Sequence, residues 1–93
     1  MPPIEGRHYT IDIHSDSERA MKRLPGQLVQ RLRKAIDALA TNPRPTGCKK
    51  LTGRPNHYRI RVGDWRISYA IYDDRLLILV VEIAPRGGAY RNL

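Results

Sequence analysis

The sequence predicts a small α+β domain in which a helical hairpin covers one face of a mostly antiparallel four-stranded sheet, in the order β-α-α-β-β-β. Apolar side chains recur at steps of three and four between residues 24 and 39, the spacing of an amphipathic helix. Apolar and polar residues alternate on both sides of Gly63-Asp64, as in a two-stranded hairpin. Helices that precede a run of strands are typical of α+β proteins. With 93 residues, of which 41% are apolar, we expect one domain over residues 1–93 with a modest core.

The first elements are a strand and a short helix. Residues 9–13 alternate with period two and predict the first strand. Ser15 and Glu18 have the spacing of a capping box, so we expect Ser15 to cap a short helix. Pro25-Gly26 should end that helix.

The second helix is the clearest periodic element. Its apolar stripe is Leu24, Leu28, Leu32, Ile36 and Leu39. Asn42-Pro43 should end it. Residues 44–56 hold two prolines and two glycines, which predicts a loop or an irregular strand.

Three strands follow. Residues 58–62 and 65–72 form the hairpin, and its Gly63-Asp64 loop fits a type II′ turn. Residues 76–83 are apolar at nearly every position, which predicts a central strand between the third and first strands, covered on both faces.

The hairpin register separates two faces. One carries Ile60, Val62, Trp65 and Ile67 and is predicted to be core; the other carries Arg59, Arg61, Arg66 and Ser68. Arg61 then stands opposite Arg66, and like charges in that position cost stability. A sheet face that accepts this cost is expected to bind an anion, and phosphate suits the guanidinium fork.

The net charge of +8 is concentrated in the second half of the chain, where residues 44–93 hold ten basic and four acidic side chains. This field favours a polyanion, an acidic protein or a membrane surface as partner. Cys48 is the single cysteine, so no intramolecular disulfide and no cysteine metal site is expected, and a reducing cytoplasm fits. The longest apolar run, residues 76–81, is too short for a bilayer, and the N-terminus lacks a signal-peptide core. We expect no metal, cofactor or membrane association.

An ordered set of residues between positions 49 and 91 resembles the RelE family, the toxin half of a toxin–antitoxin pair within the wider RelE/ParE superfamily. These residues are Lys49-Lys50-Leu51-Thr52-Gly53, then Tyr58-Arg59-Ile60-Arg61-Val62-Gly63-Asp64-Trp65-Arg66, then Tyr69, Asp73-Asp74, Arg86 and Tyr90-Arg91. The helical half matches in architecture only.

The resemblance implies a type II toxin that is a ribosome-dependent endoribonuclease and cuts messenger RNA in the ribosomal A site. In that family the 2′-hydroxyl attacks the adjacent phosphate, and basic residues with a C-terminal tyrosine are catalytic. By position, these residues are Arg59, Arg61, Arg66, Arg86 and Tyr90. Arg61 and Arg86 would bind the phosphate with Arg59 beside them, Arg66 would be the family's proton donor to the leaving 5′ oxygen, and Tyr90 would stack on a base or act on the 2′-hydroxyl.

The resemblance also implies secondary contacts and partners. Lys49, Lys50, Arg54 and Arg91 are expected to contact RNA. The expected partners are a cognate antitoxin, the ribosome with its messenger RNA, and operator DNA only as the toxin–antitoxin complex.

Two departures from the family pattern bear on mechanism. Family members often carry lysines where this chain has Arg59 and Arg61, and arginine cannot be deprotonated in proteins. The general base would therefore be Tyr90, His57 or a group of the ribosome, unless catalysis is mostly electrostatic. The second departure is Ala84-Pro85 before Arg86, where relatives often have glycine or histidine.

Two other functions remain open from the sequence. A ParE-like toxin would share the fold and inhibit DNA gyrase without cutting RNA, although ParE proteins generally lack this set of residues. A non-catalytic nucleic-acid-binding module would bind with strong salt dependence and would not arrest growth.

Overall fold

The computed structural model describes residues 8–85, which form two helices, five strands and one short 3-10 turn. In chain order these are β1 (Thr10–Ile13), α1 (Ser15–Met21), α2 (Gly26–Ala38), β2 (Lys49–Lys50), β3 (His57–Val62), β4 (Trp65–Tyr72), the turn Asp73–Arg75 and β5 (Leu77–Pro85).

The strands form one sheet in the order β1-β5-β4-β3-β2. β1 pairs in parallel with β5, and the other pairs are antiparallel. β5 therefore lies between β4 and β1, as predicted. The prediction of four strands was wrong by one, because Lys49 and Lys50, in the segment predicted as a loop or an irregular strand, pair with β3 and add an edge strand.

The β3–β4 hairpin has the predicted register. Val62 faces Trp65 next to the turn, and Arg61 faces Arg66 at the next position. Gly63 has a positive φ of 60°, whereas the φ of Asp64 is negative. That combination is the type II′ turn, which glycine at the first loop position allows.

The core lies between the helices and one face of the sheet. Met21 of α1 and Leu32 and Ile36 of α2 are almost fully buried. They pack with the alternate sheet residues Ile60, Ile67, Tyr69, Ile71, Ile78, Val80 and Ile83. Trp65 and Val62 are half-buried against this cluster, so the predicted core face of the hairpin is confirmed.

The helix boundaries differ from the predicted ones. His14, not Ser15, is the N-cap of α1, since its Nδ1 accepts a hydrogen bond from the Asp16 backbone nitrogen at 3.1 Å. α2 ends at Ala38 with Leu39 as its C-cap, four residues before the predicted stop at Asn42-Pro43. Leu39 and Ala40 are nevertheless buried, which explains why the apolar stripe continues beyond the helix.

A β-bulge divides β5. Tyr69 is paired with Val80, whereas its neighbour Ser68 is paired with Glu82, so Val81 is an extra residue on β5. An extra residue reverses the alternation of every side chain that follows it. The bulge therefore turns Ile83 into the core and Glu82 to the helix-free face.

The helix-free face of β5 is less covered than the sequence predicts. Leu77, Leu79 and Val81 are half-buried, while Ile78 and Val80 on the helix side are fully buried. The apolar run thus indicated a central strand correctly, and its second face is covered only in part, because both helices contribute to the core on the other side.

A polar cluster fixes the loop between α2 and β2 to the sheet. Arg44 donates from Nη2 to Asp73 Oδ2 at 2.8 Å and from Nε to the Tyr58 hydroxyl at 3.2 Å. The buried Tyr9 also donates its hydroxyl to Asp73. The hydrogen bonds to Asp73 and then to Tyr58 raise the pKa of Arg44 above its ordinary range.

Tyr69 provides a second attachment for the same loop. Its hydroxyl donates to the Pro43 carbonyl at 2.7 Å, and its ring stacks on Tyr58 with 6.2 Å between centroids. Burial raises the pKa of Tyr69 well above its ordinary value. The loop is thereby held where β2 can pair with β3.

Candidate functional site

The helix-free surface of the hairpin carries three arginines, and we call it the arginine face: Arg59, Arg61 and Arg66. Arg61 is paired with Arg66, and Arg59 is paired with Ser68 one row away. Paired residues project to the same side of a sheet, as do alternate residues of one strand. The face predicted from the sequence is therefore present, opposite the core side of Ile60 and Ile67.

These arginines form no ion pair with a carboxylate in the part of the chain that the structure describes. Among residues 8–85, the ion pairs of Arg19, Arg33 and Arg44 use Asp16, Glu18 and Asp73, and none involves the arginine face. Arg66 is half-buried, and its Nε is buried without an acceptor in the described part of the chain. An orphaned buried donor costs free energy, and an anion can supply the missing acceptor.

The two predicted RNA-binding lysines separate. Lys49 pairs with Arg59 and so projects to the arginine face, whereas Lys50 pairs with Tyr58 and projects to the other side. Both are exposed. Lys49 extends the cationic surface by one strand, and Lys50 does not.

Arg54 lines a polar cleft beside the arginine face. The cleft has a volume of about 380 Å³ and also contains Asp16, Ser17, Ser68 and Glu82. Ser17 is 2% exposed, and its hydroxyl has no partner among residues 8–85. Ser68, which lines the cleft, is paired with Arg59 of the arginine face.

A larger groove of about 530 Å³ lies at the outer edge of β3. Ala35 and Leu39 form its apolar wall, and Lys49 and Arg61 line its rim. β2 pairs with only the first half of β3, so the groove adjoins backbone of β3 that β2 does not reach.

His57 begins β3 on the arginine face, two residues before Arg59. It is half-buried and paired with Ala70, whose side chain is small. Its Nδ1 lies 2.9 Å from the Pro55 carbonyl oxygen. A carbonyl oxygen can only accept, so Nδ1 carries the proton and Nε2 of the neutral ring has the free lone pair.

Three predicted residues lie outside the described part of the chain: Arg86, Tyr90 and Arg91. β5 ends at Pro85, the last position with described structure.

Glu82 is a site residue that the sequence analysis did not identify. It is exposed and shares a row with Ser68 and Arg59. Two signals in the sequence indicate it: the only charge in an otherwise apolar strand, and the spacing of Ile78, Val80 and Ile83, which changes from two to three.

Residues 8–85 contain neither a metal-binding cluster nor a helix that could span a membrane. No three histidine, cysteine or acidic side chains are grouped as a metal site would require. Neither helix has the length and apolar character needed to cross a membrane.

Comparison with known proteins identifies the family. The family described as "ParE toxin of type II toxin-antitoxin system, parDE" matches residues 11–90. RelE1 of Methanocaldococcus jannaschii is 32% identical over 87 residues, which cover 90% of this chain and 97% of RelE1.

Solved structures agree with these sequence matches. The RelE–RelB complex of Pyrococcus horikoshii OT3 contains a chain that is 30% identical, with a TM-score of 0.79 over 88% of this chain and 99% of the other. The intact RelBE complex of E. coli shares the fold at 21% identity, with a TM-score of 0.75 over 86% and 99% of the two chains. The chain therefore belongs to the RelE family of toxins, within the RelE/ParE superfamily of type II toxin–antitoxin systems.

Proposed function

We propose that this toxin is a ribosome-dependent endoribonuclease that cuts messenger RNA by attack of a 2′-hydroxyl on the adjacent phosphate. One observation carries the proposal: Arg59, Arg61 and Arg66 share a sheet face and have no carboxylate partner among the described residues. The family membership supports the same activity.

The chemistry suits this arrangement. The pentacovalent phosphate that forms during attack carries more negative charge than the phosphodiester, so fixed cations stabilise it more than the ground state. Arg61 and Arg66 are held in place by a hairpin with a two-residue turn, so no loop has to move before they can bind the phosphate. Their mutual repulsion is relieved when the phosphate binds.

We assign the proposed roles as follows. Arg61 and Arg86 bind the phosphate with Arg59 beside them, and Arg66 compensates charge on the leaving 5′ oxygen. Tyr90 stacks on a base or acts on the 2′-hydroxyl. Lys49, Arg54 and Arg91 contact the RNA backbone nearby.

The proposed partner that restrains the toxin is an acidic antitoxin. The related toxins of P. horikoshii and E. coli were solved with RelB. A segment that paired its carboxylates with Arg61 and Lys49 would cover the site directly. The apolar groove beside these residues would give that segment further binding surface.

The decisive test is cleavage of a model messenger RNA on purified ribosomes, with the 5′ ends of the products mapped by primer extension. We expect cutting within the A-site codon by the wild type. Arg61→Ala should lower the single-turnover rate about a hundredfold or more, as does loss of one preorganised donor in other enzymes. Lys22→Gln, which removes an exposed cation distant from the hairpin, should leave the rate unchanged. Full activity in an Arg61→Ala, Arg66→Ala double variant would contradict the proposed site.

Gyrase inhibition is the second candidate, because the matching family is described as that of the ParE toxin. It predicts arrested replication with intact messenger RNA after induction. Uncut messenger together with gyrase-dependent DNA breaks would favour it over RNA cleavage.

A further inference from the structure

We propose that His57 is the general base that takes the proton from the attacking 2′-hydroxyl, an inference that rests on the proposed RNA cleavage. The reaction requires a group that can accept a proton, and the three arginines of the arginine face cannot do so. The structure offers an imidazole on the same face, in the strand that carries Arg59 and Arg61.

The orientation of the imidazole favours this role. The Pro55 carbonyl fixes the proton on Nδ1 through the 2.9 Å hydrogen bond, so the basic Nε2 is left free. The same device, a hydrogen bond that sets the tautomer, prepares the catalytic histidine of serine proteases.

The backbone around His57 is firmly held. Its nitrogen donates to the Arg54 carbonyl at 3.2 Å, and its carbonyl accepts from the Leu51 nitrogen at 2.9 Å. The Asn56 carbonyl accepts from the Ile71 nitrogen at 2.8 Å. These bonds join the turn before β3 to both neighbouring segments, so the ring needs little reorganisation before reaction.

The surroundings of His57 are mainly cationic. Arg59 follows two residues later on the same strand, and Lys49 of β2 is paired with Arg59. Arg54 lies in the turn that precedes β3. From β4 come Ser68 and Tyr72 at the positions flanking Ala70, and Glu82 of β5 lies beyond Ser68. Along β3 the Cα of His57 is about 6.6 Å from that of Arg59 and about 13 Å from that of Arg61, so a phosphodiester bound by Arg59, with the Arg61 side chain reaching toward it, would be about one side-chain length from the imidazole.

The 2′ oxygen forms a bond to phosphorus while its proton moves to Nε2 of His57. The bond from phosphorus to the 5′ oxygen breaks, and that oxygen keeps the electron pair and takes a proton from a water molecule held by Arg66. The imidazolium returns its proton to the hydroxide that remains from that water, so the products are a 2′,3′-cyclic phosphate and a 5′-hydroxyl.

Glu82 is the competing base among the described residues. Its carboxylate is on the same face, but the side chain is exposed and no described hydrogen bond orients it. The His57 ring, in contrast, is oriented by its hydrogen bond to the Pro55 carbonyl, which leaves Nε2 free. We therefore assign the proton transfer to His57.

The test compares His57→Asn, Glu82→Gln and His8→Asn in single-turnover cleavage on programmed ribosomes between about pH 5.5 and 8.5. Asparagine can still donate to the Pro55 carbonyl but has no basic nitrogen. His8 is an exposed histidine that precedes β1, three strands away from β3, and is the matched control. His57→Gln repeats the measurement should the asparagine variant be poorly folded.

We expect His57→Asn to lower the rate by about 10²- to 10⁴-fold, the usual contribution of a general base, and to abolish the fall in rate toward low pH. Ribosome binding should be unchanged, and His8→Asn should behave as the wild type. The assignment would be overturned if His57→Asn lowered the rate less than threefold and still showed the fall in rate toward low pH. It would also be overturned if that fall were lost in Glu82→Gln alone. A wild type that does not cleave RNA at all would instead reject the proposed function.

Discussion

Arg61 and Arg66 stand directly opposite each other in the β3–β4 hairpin, and neither has a carboxylate partner among residues 8–85. The pair costs free energy in the absence of an anion, as like charges across a strand pair do. A surface that lowers stability in this way is typical of a binding site, where function outweighs stability.

Neutralising Arg61 should therefore stabilise the fold and at the same time abolish the proposed activity. For Arg61→Gln we expect an increase of about 0.2–1 kcal/mol in the free energy of unfolding, measured by urea denaturation at low salt. The increase should shrink at high salt, because ions screen exposed charges. Lys22→Gln makes the same change in net charge outside the hairpin, and an equal gain in that variant would refute the local explanation.

Gly63→Ala should destabilise the hairpin through backbone strain rather than through a clash. Gly63 has a φ of 60°, and an added Cβ would lie 2.8 Å from Arg31 Nη2, the end of a flexible side chain that can move away. We expect a loss of about 1–3 kcal/mol in unfolding free energy. Gly53→Ala, with a φ of 78° and no atom within 4 Å, is the matched control for strain alone. Recovery of most of the loss on adding Arg31→Ala would show that the contact dominates instead.

Asp73→Ala should cost more stability than Arg44→Ala. The Arg44–Asp73 ion pair is well exposed, and such pairs contribute about 0–1 kcal/mol. Asp73 also accepts from the hydroxyl of Tyr9, which is 6% exposed, and a buried donor that loses its acceptor costs about 1–3 kcal/mol. Thermal unfolding of the two variants under identical conditions gives the comparison. Equal losses would indicate that the ion pair alone matters.

Tyr69 should make the fold sensitive to alkali. Burial raises its pKa above that of the unfolded chain, so the neutral hydroxyl stabilises the fold fully below a pH of about 10. As pH rises further, the unfolded chain loses the proton first and stability falls. Tyr69→Phe should flatten this decline in urea denaturation between about pH 9 and 11, and should cost about 1–3 kcal/mol at neutral pH because the Pro43 carbonyl loses its donor. The half-buried Tyr72, changed to Phe, is the control, and an unaltered slope in Tyr69→Phe would contradict the assignment.

The hairpin, its register and its two faces follow from local sequence alone. A two-residue turn at Gly63 leaves one register in which both Ile60 and Ile67 are buried, so Arg61 must face Arg66. The helical stripe and the central position of β5 were predictable for the same reason: they depend on residues that are near in sequence or on a simple apolar pattern.

The features that join distant segments depend on contacts that no local pattern specifies. β2 became a strand because Arg44 and the Pro43 carbonyl are held by Asp73 and Tyr69, contacts that span 29 and 26 residues. No local pattern near Lys49 specifies them, so the division between Lys49 and Lys50 was not predictable. Likewise the bulge at Val81 brings Glu82 to the arginine face, because burying Ile83 together with Val80 requires one extra residue on β5.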